Sequence, residues 1–221
     1  MSLDKIIYEK TIEPFLHPIF YTIKLTKNTM YLLDYKYRIR QILIKTVIRI
    51  PQNFINHIVF ISSSSFQQNN CNVKNKIRKS VFSFIKNSKN ILAIGGESYL
   101  YGLISNCDYM KLYTNSESIN QDFIFNNQIY KKHAESQVVN YNQLDIILNK
   151  KYDVIINLSK INLNLIKWLN QNKKMINSIT IISCGNYQRI NKLDFRLKNI
   201  KHFIDEKIKK LYAIYNLENS Q

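Results

Sequence analysis

From about residue 55 onward, the apolar spacing of the chain predicts strands alternating with helices. Four apolar residues in a row, Ile91 to Ile94, predict a short buried strand. Gly95 and Gly96 follow at once, and Tyr99, Leu100, Leu103 and Ile104 then fall at helical spacing. Upstream, Ile55 to Ile61 reads as a strand and Ser62 to Ser65 as a loop. Val73, Ile77, Val81, Phe84 and Ile85 mark one face of a helix over about 72–86. Downstream, the pattern predicts a strand at Met110–Thr114, a helix at Glu117–Phe125, a strand at Gln137–Tyr141 and a short helix at Leu144–Leu148. A buried strand at Tyr152–Asn157, a helix around Leu163–Leu169 and a strand at Ser178–Ser183 follow, the last ending at Cys184-Gly185. A helix near Asp194–Asn199 and strands at Ile200–Ile204 and Leu211–Leu217 complete the chain.

This alternation implies an α/β fold with a mostly parallel sheet covered by helices on both faces. Ligands of such sheets bind beyond the C-terminal strand ends, where the strand order reverses. Three strand ends here carry unusual residues: Gly95-Gly96, Asn157 and Cys184-Gly185. All three are expected on one rim. A glycine turn between strand and helix lets a ligand approach the backbone closely, although Gly-Gly-x5-Gly is not the dinucleotide fingerprint. Cys184, at the end of a buried strand, is placed either as a rigidly held nucleophile or as a small buried hydrophobe. His17, His57, His133 and His202 are scattered and make no Cys–His pair, and no His or carboxylate cluster has metal-ligand spacing.

Composition adjusts this picture. A chain of 221 residues is one medium domain with a short N-terminal addition, here 1–56 before an α/β domain at 57–221. Residues 1–30 show no assignable pattern. Tyr35 to Arg40 alternate as a strand with one basic face; tyrosine interleaved with Arg and Lys suits base stacking and phosphate contact, and equally suits an ordinary solvated strand. No long apolar run predicts a membrane span, and the N-terminus lacks a secretory pattern. Three cysteines without CxxC argue against a disulfide framework or a zinc site, so a reducing compartment, cytoplasmic or the interior of an organelle, is expected. The net charge is +17, yet 26 of the 32 basic residues are Lys and 6 are Arg, a bias that fits AT-rich coding more than selection for bidentate phosphate recognition. Such a charge still attracts polyanions, and nucleic acid is the favoured partner.

The order of motifs resembles the class I, S-adenosylmethionine-dependent RNA (uracil-5-)methyltransferases, from about residue 57 to the end. Val59-Phe60-Ile61 and Phe66-Gln67-Gln68-Asn69 resemble that family's strand and Phe-x-Gln-x-Asn signature. Ile91 to Gly96 stands at the methyl-donor loop, Asp153 to Lys160 at the Asp/Asn-Pro-Pro-Arg segment, and Ser183-Cys184-Gly185-Asn186 resembles Ser-Cys-Asn-Pro. The resemblance implies a Rossmann-like methyltransferase sheet, S-adenosylmethionine as cofactor and tRNA or rRNA as partner, with no membrane association. It implies that the Cys184 thiolate adds to C6 of uracil, that C5 takes the methyl group, and that a carboxylate then removes the C5 proton. It likewise implies that Gln67, Gly95 and Gly96 contact the cofactor and that Asn157 faces the base.

The departures are specific. Gly96-Glu97-Ser98 replaces the Gly-x-Gly of the donor loop, and Tyr113-Thr114-Asn115 stands where a carboxylate usually holds the ribose. Leu158-Ser159-Lys160 replaces Pro-Pro-Arg, and Asn186-Tyr187-Gln188 follows the cysteine. No His-x-x-Glu supplies a base; Leu211-Tyr212-Ala213 falls there, and Glu218 is the nearest later acid. Two functions follow: a pared-down RNA methyltransferase forming 5-methyluridine, or a catalytically inactive descendant retained as a basic RNA-binding or assembly factor.

Overall fold

The computed structural model describes residues 21–25, 29–33, 39–43, 49–62, 71–184, 189–205 and 209–219. They fall into two units, one within Met1–Asn53 and Ile58–Ser65, the other within Phe54–His57 and Phe66–Gln221. In the first, strands β1 (Tyr21–Leu25), β2 (Thr29–Leu33) and β3 (Ile39–Leu43) form an antiparallel sheet in that order. Most of the expected basic-faced strand at Tyr35–Arg40 lies outside the described residues. Strands β4 (Arg49–Phe54) and β5 (His57–Ser62) pair as a hairpin. The expected strand over Ile55–Ile61 is therefore shorter at its start. Ile55 sits in the connecting turn with φ of 58°, a left-handed conformation rare for a β-branched residue, so its apolar side chain hid the reversal.

The second unit is built on a seven-stranded sheet. Its strands are β6 (Asn90–Ile94), β7 (Tyr109–Thr114), β8 (Ala134–Val138), β9 (Tyr152–Asn157), β10 (Ile176–Cys184), β11 (Arg196–Asp205) and β12 (Lys210–Glu218), in the spatial order β11-β12-β10-β9-β6-β7-β8. Strands β6 to β10 pair in parallel, and β12 runs antiparallel between β10 and β11. The chain thus builds outward from β6 through β7 to β8, then crosses back to lay β9 on the other side of β6. The strand order reverses between β6 and β9.

The helices follow the apolar spacing. Helix α1 (Cys71–Ile85) buries Val73, Ile77, Val81 and Ile85, one residue per turn, and packs against α2 (Ser98–Ile104), β11 and β12. Helix α2 in turn packs against α3 (Glu117–Tyr130), with Tyr99 edge-on to Phe123. On the opposite face α4 (Leu163–Gln171) buries Leu165, Ile166, Trp168 and Leu169 against Ile94, Tyr113, Val154, Ile156 and Ile181. Strands buried on both faces read as continuous apolar runs, which is why Ile91–Ile94 and Val154–Ile156 stood out. Among the described residues no helix is long and apolar enough to cross a membrane.

Three expected elements differ. Strand β8 begins and ends earlier than Gln137–Tyr141, because Tyr141 turns inward to bond the end of β7. The expected helix at Leu144–Leu148 is an extended strap: Trp168 Nε1 donates to the Ile146 carbonyl at 2.7 Å, and Leu148 N–H donates to Asn172 Oδ1 at 3.1 Å. Its backbone groups are satisfied by α4 and its C-cap residue Asn172, so no helical turn is required. The expected helix at Asp194–Asn199 is the start of β11, where Arg196 and Lys198 both reach Glu218 of β12, at 2.6 and 2.7 Å. Tertiary pairing overrides the weak local spacing there.

Candidate functional site

The point where the strand order reverses is also where the glycines lie. Gly95 and Gly96 leave β6 with φ of 71° and 42°, both left-handed and unstrained only without a side chain. A Cβ on Gly95 would lie 2.2 Å from Leu158 Cδ2 and 2.9 Å from the Asn157 carbonyl oxygen; one on Gly96 would lie 2.8 Å from that oxygen and 3.0 Å from Asn157 Cγ. The turn after β6 is thus nested against the end of β9. Register agrees: Ile94 pairs with Ile156, which brings Gly95 level with Asn157, and Asn157 pairs with Ile182 of β10. Cys184, the last residue of β10, ends two residues beyond that level on the same rim. Gly95, Gly96 and Asn157 are therefore brought together, with the end of β10 beside them. Gln67 lies outside the described residues.

The turn is held from three sides. Gly95 N–H donates to the Tyr113 carbonyl at 3.0 Å, and both the N–H and the hydroxyl of Ser98 return to the Gly95 carbonyl. The N–H groups of Gly96 and Glu97 find no acceptor among the described residues, which leaves two buried donors in the cradle. The third side is a buried ion pair that sequence reasoning missed. Arg78 Nη2 lies 3.0 Å from each oxygen of Glu97, and Nε lies 3.3 Å from Oε2. Arg78 is 2% exposed and Glu97 4%. Lys74, one turn earlier on α1, brings Nζ to 3.5 Å from Glu97 Oε1. The guanidinium lies 4.3 Å from the centroid of the Phe54 ring, and Phe54 packs edge-on against Tyr101 of α2 at 4.9 Å. Burial, then the nearby Glu97 carboxylate, push the Tyr101 hydroxyl well above the usual tyrosine range, offset in part by Arg78. The available signal was a basic residue at 78 beside the apolar stripe position Ile77, with another four residues before it.

The tip of β7 holds no carboxylate. Tyr141 donates its hydroxyl to the Tyr113 carbonyl at 3.1 Å, while Ser116 N–H donates to Thr114 Oγ1 at 3.1 Å. Burial pushes the Tyr141 hydroxyl up to about 12, against the lowering effect of bonds with Thr114 and the Asn115 backbone. Asn162 caps α4 by accepting from Leu165 N–H at 2.7 Å, and its amide donates to Asn142 at 2.8 Å, tying the strap to the segment after β9. At the far side of the sheet, the antiparallel register separates the acids. Glu218 pairs with Ser178 at the end of β10 remote from Cys184, whereas Asp205, buried, ends β11 on the rim that carries Cys184.

No protein-family model and no curated protein matches this sequence. Solved structures do match its fold. The tRNA (uracil-54, C5)-methyltransferase of Pyrococcus abyssi, in complex with S-adenosyl-L-homocysteine, superposes with a TM-score of 0.64 at 19% identity, over 90% of this chain and 50% of that one. TYW2 of M. jannaschii, in complex with AdoMet, gives 0.54 at 11% identity over 82% and 90%, and the putative methyltransferase yhhF of Escherichia coli gives 0.55 at 13% over 78% and 99%. The fold is that of a class I methyltransferase. The chain spans half the length of the Pyrococcus protein, and the identities bear on architecture alone. In this fold the reversal between β6 and β9 is the ligand crevice, which is where the glycine turn and Asn157 meet.

Proposed function

We propose that the chain is an S-adenosylmethionine-dependent RNA methyltransferase, forming 5-methyluridine with Cys184 as nucleophile. One observation carries the reading: the two left-handed glycines of the β6 turn pack against Asn157 at the reversal of strand order, with β10 delivering Cys184 to the same rim. The residues present fit the donor's amino-acid end, because the turn offers two buried N–H donors and admits no Cβ. They fit its ribose less closely, since Thr114 and Asn115 offer neutral oxygens in place of a carboxylate. When bound, the donor supplies an electrophilic methyl group.

The chain's own residues have three tasks. Gly95, Gly96 and Gln67 would hold the donor, Asn157 would orient the uracil, and Cys184 would activate it. The thiolate forms a bond to C6 while the C5–C6 π pair moves onto C5 and the O4 carbonyl. After C5 is substituted, a base takes the C5 proton, the freed pair reforms the double bond and the thiolate leaves. Glu218 is remote from this rim and held by Arg196 and Lys198, so we assign the base role to Asp205. The net charge of +17 favours a polyanionic substrate, tRNA or rRNA.

Calorimetric titration with S-adenosylhomocysteine, followed by incubation with methyl-labelled donor and RNA, tests the reading. Binding, labelled 5-methyluridine and loss of product but not of binding in Cys184→Ala are expected; absence of both binding and product would overturn it. The second reading, an inactive RNA-binding or assembly factor of the same fold, is favoured by the β7 tip, where Tyr141 occupies the Tyr113 carbonyl and no acid remains. It predicts salt-sensitive RNA binding indifferent to Cys184→Ala.

A further inference from the structure

The ion-pair cluster behind the glycine turn has one more cation than the turn needs for its own support. Arg78 contacts both oxygens of Glu97 and is itself the more deeply buried partner, with side-chain exposures of 3% for Arg78 and 5% for Glu97. Lys74 stands outside that pair: its side chain is 12% exposed, and its ammonium approaches one oxygen at 3.5 Å, beyond good hydrogen-bond length. An ammonium carries three donors, and Glu97 engages at most one of them. Drawing a lysine this far from water is costly where its charge does little for its neighbour. Glu97 does not need Lys74, since the guanidinium fork already matches the carboxylate.

Topology places that ammonium at the crevice. Helix α1 leads through residues 86–89 into the start of β6, so its first turn lies at the far end of β6, where Gly95 and Gly96 begin. Lys74 is in that first turn. Glu97, which it approaches, directly follows the two glycines. The outer cation is thus beside the stretch proposed to receive the amino-acid end of the donor.

We propose that Lys74 binds the α-carboxylate of the methyl donor and so selects for ligands carrying that group. The proposal rests on the cofactor reading given above and names a residue to which that reading gives no role. The charge would attract an anionic carboxylate, not the sulfonium or the adenine, and Arg78 would keep Glu97 from repelling it.

The test compares two probes on the full chain by calorimetry: S-adenosylhomocysteine and its decarboxylated analogue, S-adenosyl-3-thiopropylamine. Loss of one charge-assisted contact predicts that Lys74→Met weakens S-adenosylhomocysteine by about ten-fold or more, with Lys74→Arg retaining most of the affinity. The decarboxylated analogue should bind the unaltered chain more weakly by a similar factor and should not distinguish it from Lys74→Met. Unchanged affinity of Lys74→Met for S-adenosylhomocysteine, or an equal loss for both probes, overturns the assignment. Failure of the unaltered chain to bind S-adenosylhomocysteine overturns the cofactor reading itself and this assignment with it, a result separable from the first because it needs no variant. Lys74→Gln serves if the Met variant does not fold.

Discussion

Gly96→Ala isolates the contact on which the site depends. At φ of 42° an added Cβ costs about 1–2 kcal/mol for the left-handed backbone alone. The same Cβ would lie 2.8 Å from the Asn157 carbonyl oxygen, a backbone atom that moves only with the end of β9. Overpacking of this kind adds about 1–3 kcal/mol, for a total of about 2–5 kcal/mol. The single tryptophan, Trp168, is 1% exposed in the core of the second unit, so its fluorescence in a urea titration reports that unit. With a slope of about 2–3 kcal/mol/M, the midpoint should fall by about 1–2 M. Asn157→Ala added to Gly96→Ala removes Cγ but leaves the carbonyl oxygen, so it should not rescue. Gly95→Ala should be relieved in part by Leu158→Ala, because its worst contact is with the Leu158 side chain, at 2.2 Å. An unchanged midpoint for Gly96→Ala, or full rescue by Asn157→Ala, would show that the turn does not nest against β9.

Three further outcomes follow from particular contacts. Glu97→Gln, which leaves the Arg78 charge buried without its carboxylate, should destabilise the second unit by about 3–5 kcal/mol in the same titration, and the pair replaced together by Arg78→Met with Glu97→Leu should cost much less. The Glu218 carboxyl is held below the usual carboxylate range by hydrogen bonds from Lys198 and Arg196. A lowered folded value means this contribution is present above the ordinary carboxylate range and lost as pH falls through the folded value; a carbon-detected NMR titration should show that value moving up in Lys198→Ala. Tyr141→Phe removes the bond to the Tyr113 carbonyl and should cost about 1 kcal/mol, read as a small drop in the urea midpoint.

The central strands were legible because burial on both faces demands continuous apolar runs, and α1 because one residue per turn faces the sheet. Gly95, Gly96 and Asn157 were legible as strand ends, and the register then showed why they meet. The strap at 144–148 was not, because its order comes from Trp168 and Asn172, more than twenty residues later. The start of β11 was misread for the same reason, its two basic residues being placed by Glu218 across the hairpin. Nothing local in Ile55 announced a turn, since its left-handed φ is imposed on a residue that ordinarily avoids it.

The hardest signal to see was Glu97. Against the Gly-x-Gly pattern it looks like erosion of the donor loop, yet the carboxylate is buried and matched by both Nη2 and Nε of Arg78. Neither charge could be buried alone without a penalty of several kcal/mol, so the two residues form one substitution, made on two elements that meet only in the folded unit. A loop drifting free of constraint would have left one of them unmatched or solvated. The glycines it supports keep a conformation closed to any other residue. At the β7 tip, by contrast, no group compensates the missing acid, because Tyr141 bonds a backbone carbonyl that every residue possesses. The crevice is therefore maintained on its amino-acid side and altered on its ribose side, an asymmetry that makes the carboxylate end of the donor the decisive place to probe.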